Sequence, residues 1–336
     1  MTPDRGATPT PLLQVNDLVK HFPVRGRGPA QMLRAVDGVS FTVNAGETVG
    51  VVGESGCGKS TVARLVVGLT KPTSGSVLVE GGDIWARGKE GAERRRRMQM
   101  VFQNPTGSMN PRRTVGDAVA EPLQVLRAPG IRAKVEETLS LVGLKPEMAD
   151  RMPHEMSGGQ QQRAAIARAM ISNPALVVHD ESVASLDISL QAQILNLLVD
   201  LQDRLGTAYL FISHDLAAVQ AISHRVVVMY LGEVVESATA VEFAARPLHP
   251  YSVALRRAAL LPDPEIEQSR VEVGLTGDVP SPLNPPSGCR FRTRCPYAEQ
   301  KCADEKPALR PAQDGHYVAC HFAGIATATT ALEGAS

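Results

Sequence analysis

The sequence has no long apolar run. No stretch reaches the roughly 18 consecutive apolar residues that a helix needs to cross a bilayer, so we expect no membrane-spanning helix. The first thirty residues contain prolines and charges and lack the apolar centre of a signal peptide. We therefore expect the chain to remain in the cytoplasm.

The sequence also lacks an excess of charge of either sign, because 35 basic residues balance 35 acidic ones. A neutral chain has no global field to attract nucleic acid or a membrane surface, so we expect no nucleic-acid partner. The run Arg94–Arg97 is a local exception that we interpret as a solvated face. Aromatic residues are sparse at 4%, but the hydrophobic content of 43% is ordinary for a globular protein.

Apolar patterning predicts an α/β fold. Alternation of apolar and polar residues, typical of half-buried antiparallel strands, occurs at 12–19, 38–43 and 75–80. Short apolar runs typical of other strands occur at 48–52, 176–178, 208–213 and 225–231. From about 104 to 172 the pattern is helical and contains no strong strand. The sequence therefore predicts a parallel-sheet core with an antiparallel β subdomain and an inserted helical subdomain.

A glycine-rich loop stands between one of these strands and a predicted helix. It reads Gly-Glu-Ser-Gly-Cys-Gly-Lys-Ser from Gly53 to Ser60 and fits the phosphate-binding pattern G-x-x-x-x-G-K-[ST]. Its glycines allow backbone N–H groups to turn toward phosphate oxygens, and the helix N-terminus adds its positive end. We expect Lys59 to reach the β- and γ-phosphates of ATP and Ser60 to bind Mg²⁺. The predicted nucleotide-binding residues here are Gly53, Glu54, Ser55, Gly56, Cys57, Gly58, Lys59, Ser60 and Thr61. Cys57 is interpreted as a permissive position, since the loop acts through its backbone.

An acidic pair follows the strand at 176–178. A carboxylate at a strand end beside a phosphate loop can hold Mg²⁺ through water, which is the role we predict for Asp180. Glu181 is then placed to polarise the attacking water as a general base.

A second anion-binding helix N-terminus is predicted at Ser157-Gly-Gly-Gln160, where a serine and two glycines precede a helical pattern. With two such phosphate cradles about a hundred residues apart, the chain resembles the ATP-binding cassette (ABC) family. The resemblance implies that one subunit's phosphate loop and its partner's Ser157, Gly158, Gly159 and Gln160 enclose ATP together.

Four further landmarks of the family match in order. The resemblance implies that Gln103 contacts Mg²⁺ and senses the γ-phosphate, that Asp187 couples the two sites, and that His214 is the switch histidine. Together with Lys59 and Glu181, Gln103 and His214 form the predicted catalytic set. Phe22 matches the aromatic residue that stacks on adenine, with His21 and Phe41 as competitors.

The chain departs from the family pattern at two positions. His179 occupies the last apolar position before Asp180, and Ser182 replaces the proline that usually follows the glutamate. Neither change removes a catalytic group.

The C-terminal part resembles the extension of oligopeptide and dipeptide importer ATPases. The motifs that carry this resemblance are His249-Pro-Tyr251, the segment from Gly277 to Cys289, and Arg294-Cys-Pro296. The resemblance covers residues 12–322 and divides the chain into parts. These are a nucleotide-binding domain at 1–257 with its helical subdomain at about 104–172, an extension at 258–322, and a tail at 323–336 that we expect to be disordered.

The resemblance implies an ATP-hydrolysing subunit that powers peptide import at the cytoplasmic face of the membrane. Such subunits usually pair with a sibling ATPase under two membrane permeases, fed by an external peptide-binding protein. Importers of nickel or another small solute share this plan and remain open as alternatives. A soluble ABC ATPase acting on nucleic acid is the rival from another class, and the neutral net charge disfavours it.

Four of the five cysteines lie close together in the C-terminal part, and a reducing cytoplasm disfavours disulfides between them. They are Cys289, Cys295, Cys302 and Cys320, with five, six and seventeen intervening residues. Four thiolates suit Zn²⁺ or an iron–sulfur cluster. The C-x₂₋₄-C pairs of zinc sites are missing, which favours a [4Fe–4S] cluster, as the resemblance also implies. Zn²⁺ and unligated packing thiols remain open, and His316 and His321 are spare candidate ligands that we expect at the surface.

Overall fold

The computed structural model describes residues 10–24, 31–184, 186–259, 277–313 and 315–325. Its strands are β1 (Leu13–Val24), β2 (Gln31–Val43), β3 (Thr48–Val52), β4 (Ser74–Val79), β5 (Gly82–Asp83), β6 (Met98–Val101), β7 (Leu176–Asp180), β8 (Ala208–Ile212), β9 (Arg225–Tyr230), β10 (Glu233–Thr239), β11 (Arg310–Gln313) and β12 (His316–Val318). Its helices are α1 (Lys59–Val66), α2 (Lys89–Arg96), α3 (Pro105–Ser108), α4 (Val115–Leu126), α5 (Ile131–Leu141), α6 (Gly158–Met170), α7 (Ile188–Leu205), α8 (Leu216–Ile222), α9 (Ala240–Ala245), α10 (Pro250–Ala259) and α11 (Gln300–Asp304), with short 3₁₀ turns at Pro146–Asp150 and Pro153–Glu155. None of the helices in these ranges is long and apolar enough to cross a membrane.

The larger sheet is the core of the fold. Its strand order is β11-β12-β10-β9-β3-β8-β7-β6, and the strands from β9 to β6 run parallel. Every residue of β3, β7 and β8 is buried, as expected for parallel strands with helices packed on both faces. Because these strands end at one edge, the residues that follow them lie near one another.

The smaller sheet is antiparallel, in the order β2-β1-β4-β5. Its apolar side chains join those of α1 and one face of the larger sheet in a single core, which includes Leu13, Val36, Leu65 and Val77. The predicted antiparallel subdomain is confirmed, with strands longer than the alternating segments indicated.

The chain between β6 and β7 is helical in the structure, from α3 to α6, which confirms the predicted helical insertion. Two of its helices begin at side-chain caps. The Thr114 hydroxyl accepts a hydrogen bond from the Asp117 amide at the start of α4, and Ser157 plays the same part for α6. Val119 and Leu139 are fully buried between these helices.

The ends of two elements are explained by the residues that follow them. Helix α7 ends at Gly206, which has φ of 67°, a left-handed conformation in which glycine is unstrained. Leu231 and Gly232 join β9 to β10 with φ of 44° and 82°, the two positive values of a type I′ hairpin turn.

The described part of the predicted extension shares a sheet and a core with the rest of the chain. Strand β12 pairs with β10 through Glu236–Val318 and Ser237–Tyr317, and β11 adds to its outer edge. Phe291 is buried in the same cluster as the helical insertion. The predicted boundary between 257 and 258 falls inside α10, and the predicted tail lies mostly outside the described residues.

Candidate functional site

The loop between β3 and α1 has the conformation that its glycines permit. Gly53 and Gly58 have φ of 155° and 105°. A Cβ at Gly53 would collide with the Met229 carbonyl oxygen, and one at Gly58 with the Ala35 carbonyl oxygen. Only glycine therefore lets the loop pack this closely on β2 and β9 while its backbone turns inward.

Lys59 begins α1 and is buried. Its Nζ donates hydrogen bonds to the carbonyl oxygens of Gly53 (2.7 Å) and Glu54 (3.0 Å), so the ammonium lies within the concave side of its own loop. The Cys57 thiol lies 3.9 Å from the same nitrogen, and burial raises the pKa of that thiol. A buried, protonated thiol is a poor nucleophile, which agrees with a permissive role for Cys57.

Ser60 and Asp180 come together from α1 and the end of β7. The Ser60 hydroxyl donates to Asp180 Oδ1 at 2.9 Å. Burial raises the pKa of Asp180, the charge of Glu181 raises it further, and the bond from Ser60 opposes both. A hydroxyl and a buried carboxylate in contact are hard oxygen ligands of the kind that Mg²⁺ prefers, so the donor set fits the predicted metal.

Glu181 is held between two other predicted catalytic residues. Gln103 Nε2 donates to its Oε2 at 2.9 Å, and His214 Nδ1 lies 3.4 Å from its Oε1. Its backbone has φ of 50°, a strained value for a side chain of this kind, and its amide donates to the Ile212 carbonyl at 2.9 Å. The ends of β6, β7 and β8 thus bring three predicted residues together, with Gln103 and His214 on the carboxylate of Glu181.

An open cavity of about 250 Å³ lies over the phosphate loop. The loop residues Ser55 to Thr61, except Cys57, line it, together with Glu181 and Phe22. Of the two competitors for the aromatic position, His21 is paired with Asp37 at 3.0 Å and Phe41 is buried in the core. Only Phe22 among the three lines the cavity.

Ser157 and Asp187 lie elsewhere. Ser157 and Gln160 form a reciprocal capping box at the start of α6, and Asp187 caps α7 by accepting a bond from the Leu190 amide at 2.9 Å. Gly159 lies so close to α7 that a Cβ there would stand 2.7 Å from Leu190 Cδ1. Neither segment lines the cavity over the phosphate loop. The structure therefore places the Ser157 and Asp187 segments beside each other but away from the loop Gly53–Ser60.

Comparisons with known proteins agree with this geometry. The family described as ABC transporter matches residues 36–184, and the family described as oligopeptide/dipeptide transporter, C-terminal region, matches residues 235–302. A probable peptide ABC transporter ATP-binding protein, y4tS of Sinorhizobium fredii, is 53% identical over 94% of this chain and 91% of its own length. The chain belongs to the ABC transporter family of ATPases.

Two other similarities extend this result. The oligopeptide transport ATP-binding protein OppF of Salmonella typhimurium is 48% identical over 92% of this chain and 95% of its own length. The solved structure of the ATP-binding cassette MJ0796, a dimer in a post-hydrolysis state bound to ADP and Pi, is 27% identical and has a TM-score of 0.59. The match covers 68% of this chain and 98% of the solved chain. The predicted family and fold are therefore confirmed.

Sequence reasoning missed three residues of this ABC ATPase, of which two contact the glycine-rich loop and one lines the cavity over it. Arg294 binds the Glu54 carboxylate, Tyr251 Oη accepts a hydrogen bond from the Glu54 amide at 2.8 Å, and Pro282 lines the cavity. All three lie in segments that carry the C-terminal resemblance. That resemblance was the available signal, but the sequence does not indicate which of its residues reach the candidate site.

The four clustered cysteines of the ABC ATPase line one small space. Burial raises the pKa of Cys289 to about 11 and that of Cys320 to about 12. The space has a volume of about 10 Å³, near the minimum for one water molecule. Within the described residues no group of three or more His, Cys, Asp or Glu is placed to hold a metal ion. The donor chemistry of four thiols fits a metal centre, but in this conformation the space that they line is too small to hold one.

The expectation for His316 was wrong. It is fully buried on β12, and its Nε2 lies 2.7 Å from Glu236 Oε1. Pairing of β12 with β10 carries this histidine into the interior, where the carboxylate provides its partner. His321 is half-buried and contacts the Glu305 carbonyl oxygen at 3.1 Å.

Proposed function

We propose that this ABC ATPase powers the import of di- and oligopeptides through a membrane transporter. The carrying observation is that residues 235–302 match the C-terminal region of oligopeptide/dipeptide transporters in addition to the ABC match. The named relatives that cover more than nine tenths of the chain are peptide or oligopeptide transport ATP-binding proteins, which supports the same substrate class.

ATP binds, in this proposal, between two subunits. The phosphate loop, Ser60 and Glu181 line one cavity, whereas Ser157 and Asp187 lie outside it. A partner subunit facing the cavity supplies the second cradle. The dimer reported for the similar cassette MJ0796 supports this arrangement. We propose that the partner is a second, different ABC ATPase.

The residues around Glu181 carry out hydrolysis. Glu181 accepts a proton from the attacking water, and its contacts with Gln103 and His214 orient the carboxylate toward the γ-phosphate. Lys59 stabilises the charge on the β- and γ-phosphates, for which its ammonium leaves the carbonyl oxygens of its loop. When bound, Mg²⁺ neutralises phosphate charge, and Ser60, Asp180 and Gln103 are the residues that would hold it.

Phe22 supplies the adenine platform in this proposal. Its ring lines the cavity, and the Lys20 ammonium lies 5.1 Å from the ring centroid. An aromatic face near a cation remains available for stacking on a base from the cavity side. The partners that complete the transporter are two permeases and an extracytoplasmic peptide-binding protein, which locates this subunit at the cytoplasmic face of the membrane.

Transport by the assembled complex tests the proposal. The chain would be reconstituted in vesicles with its permeases, sibling ATPase and binding protein, and uptake of a panel of labelled di- to octapeptides would be measured with ATP inside. We expect uptake that requires ATP and disappears in the Glu181→Gln complex. ATP-dependent uptake of Ni²⁺ without any peptide uptake would contradict the peptide assignment. An ATP-dependent shift of duplex DNA would contradict the transporter assignment.

We further propose that Cys289, Cys295, Cys302 and Cys320 are the ligand set of a [4Fe–4S] cluster. Their convergence around one space, from positions spread over the C-terminal segment, supports this proposal. Loading requires the space to widen, since it now has room for about one water molecule. Protein purified without oxygen should contain four iron and four sulfide per chain. One zinc per chain, or no metal at all, would contradict the proposal, and Cys302→Ser should abolish the iron while the exposed Ser74→Ala does not.

A further inference from the structure

The C-terminal segment reaches the phosphate loop through one ion pair. Arg294 Nη1 lies 2.7 Å from Glu54 Oε2, and Nη2 lies 3.0 Å from Oε1, so the guanidinium and carboxylate are joined by two parallel bonds. The Arg294 side chain is 6% exposed and that of Glu54 is 24% exposed. A paired fork of this kind, largely removed from water, fixes the orientation of both groups.

Glu54 is the second residue of the phosphate loop and is held at three points. Its amide donates to Tyr251 Oη at 2.8 Å, its carbonyl oxygen accepts a bond from Lys59 Nζ at 3.0 Å, and its carboxylate binds Arg294. Two of these three contacts come from the C-terminal part of the chain. The carboxylate contact therefore acts on the same residue whose carbonyl oxygen binds the phosphate-binding lysine.

Arg294 is itself held rigidly. Its Nη1 lies 3.4 Å from Tyr230 Oη, and its guanidinium lies 5.9 Å from the centroid of that ring. Tyr230, Tyr251 and Phe291 pack as a trio with ring centroids 4.8 to 5.5 Å apart. A guanidinium with so few accessible positions transmits any shift of its backbone to its partner.

The backbone on either side of Arg294 belongs to the cysteine cluster. Arg294 precedes Cys295 directly, and the Cys289 amide donates to the Cys302 carbonyl oxygen at 2.8 Å. A Cβ at Gly288 would collide with that carbonyl oxygen, so the backbone before Cys289 packs against that of Cys302 as closely as glycine allows. These contacts restrict the backbone of the segment that contains Arg294.

We propose that Arg294 is a positioning residue for the phosphate loop, so that the cysteine-bearing segment sets the affinity for ATP through the Arg294–Glu54 pair. Loss of either partner leaves a charge largely buried without its counterpart, and the loop relaxes to relieve it. The nucleotide then binds a loop that must first be ordered, which lowers affinity and leaves the hydrolytic groups on β7 and β8 unchanged. This inference rests on ATP binding at the phosphate loop.

Single and double substitutions in the full-length chain test it. Arg294→Gln, Glu54→Gln, the double variant and Arg294→Lys would be compared by equilibrium dialysis with radiolabelled ATP and by steady-state ATPase kinetics in the assembled transporter. Arg292→Gln is the matched control, because Arg292 lies in the same segment but its guanidinium bonds only to Ser287 among the contacts described. Far-ultraviolet circular dichroism and thermal unfolding check that each variant folds.

We expect Arg294→Gln and Glu54→Gln each to raise the dissociation constant and KM for ATP about tenfold, equivalent to about 1.4 kcal/mol, with kcat within about twofold. The double variant should bind ATP no more weakly than the weaker-binding single variant, since both substitutions remove the same interaction. Arg294→Lys should bind ATP more tightly than Arg294→Gln, because lysine keeps the positive charge but cannot form the two parallel hydrogen bonds. Arg292→Gln should bind ATP normally.

Three results would overturn the proposal. These are an Arg294→Gln dissociation constant within about twofold of the unmodified chain, single effects that multiply in the double variant, and a fall in kcat without a change in KM. If Arg294→Gln does not fold, Glu54→Gln decides the question, since it leaves the C-terminal segment intact. If the unmodified chain itself does not bind ATP, the proposed function fails, whereas normal binding with an unaffected Arg294→Gln overturns this inference alone.

Discussion

The Ser182 hydroxyl lies 3.3 Å from the Nδ1 of His179, and both side chains are buried. These are the two positions at which the chain departs from the family pattern, and they flank Asp180 and Glu181. Within the described part of the chain, His179 Nε2 has no hydrogen-bond partner, so Ser182 provides the ring's one polar contact. The two departures therefore compensate each other. His179 introduces a buried ring nitrogen that an apolar residue would lack, and the Ser182 hydroxyl gives that nitrogen a hydrogen-bond partner.

Removing the hydroxyl should expose this compensation. We expect Ser182→Ala to lower the free energy of unfolding by about 1–3 kcal/mol, because His179 Nδ1 is left buried without a partner. Adding His179→Val should recover most of the lost stability, since no buried polar group of this pair is then left without a partner. Urea unfolding of the two single variants and the double variant measures this, and purely additive losses would contradict the pairing.

Loss of the phosphate-loop ammonium should weaken nucleotide binding and stop hydrolysis. We expect Lys59→Ala to weaken ATP affinity by about 10- to 100-fold, from the about 1.5–3 kcal/mol that a hydrogen bond to a charged group contributes, and to abolish measurable turnover. The exposed Lys145→Ala serves as the control. Hydrolysis by Lys59→Ala near the normal rate would refute the assignment of Gly53–Ser60 as the phosphate loop.

Removal of the charge on Glu181 should separate binding from hydrolysis. Glutamine keeps an acceptor for Gln103 but cannot take a proton, so we expect Glu181→Gln to bind ATP and to hydrolyse it about 10²- to 10⁴-fold more slowly. The closed dimer should accumulate and double the mass seen by light scattering when ATP is added. Exposed Glu147→Gln should behave like the unmodified chain, and rapid turnover in Glu181→Gln would exclude Glu181 as the base.

Acid should destabilise the fold through a buried histidine. Burial lowers the pKa of His249 to about 4, against an ordinary value near 6.5, while the charge of Glu236 opposes the shift. Below about pH 6.5 this histidine is protonated in the unfolded chain but stays neutral in the folded chain. The stability present above that pH is therefore lost as the pH falls toward 4. At pH 5.5 the loss from this histidine should be about 1.4 kcal/mol.

Asparagine at this position provides the check. His249 Nδ1 accepts a bond from the Tyr251 amide at the start of α10, a role that an asparagine oxygen can take without titrating. We expect thermal unfolding of His249→Asn to depend less steeply on pH between 7 and 5 than that of the unmodified chain. Identical slopes would show that His249 does not carry the acid sensitivity.

Local patterns predicted the strands beside the candidate nucleotide site. The apolar runs of β3 and β7 are buried on both faces, as expected, because each pattern depends on its own residues and immediate neighbours. The choice of Phe22 over His21 and Phe41 could not be made in this way. It depends on the register of β1 against β2, which turns Phe41 into the core.

The sequence by itself determined the glycine-rich loop before α1, the acidic pair at the end of β7 and the capped start of α6, since glycine conformations, helix caps and strand ends are properties of short segments. The tertiary structure alone decided what the C-terminal segment contacts. Arg294 meets Glu54 across 240 positions of the chain because β12 pairs with β10 and Phe291 joins the central core. It also decided that His316 is buried and that the four thiols share a space near the size of one water. Contacts between segments this far apart depend on how the sheet closes, which no local pattern specifies.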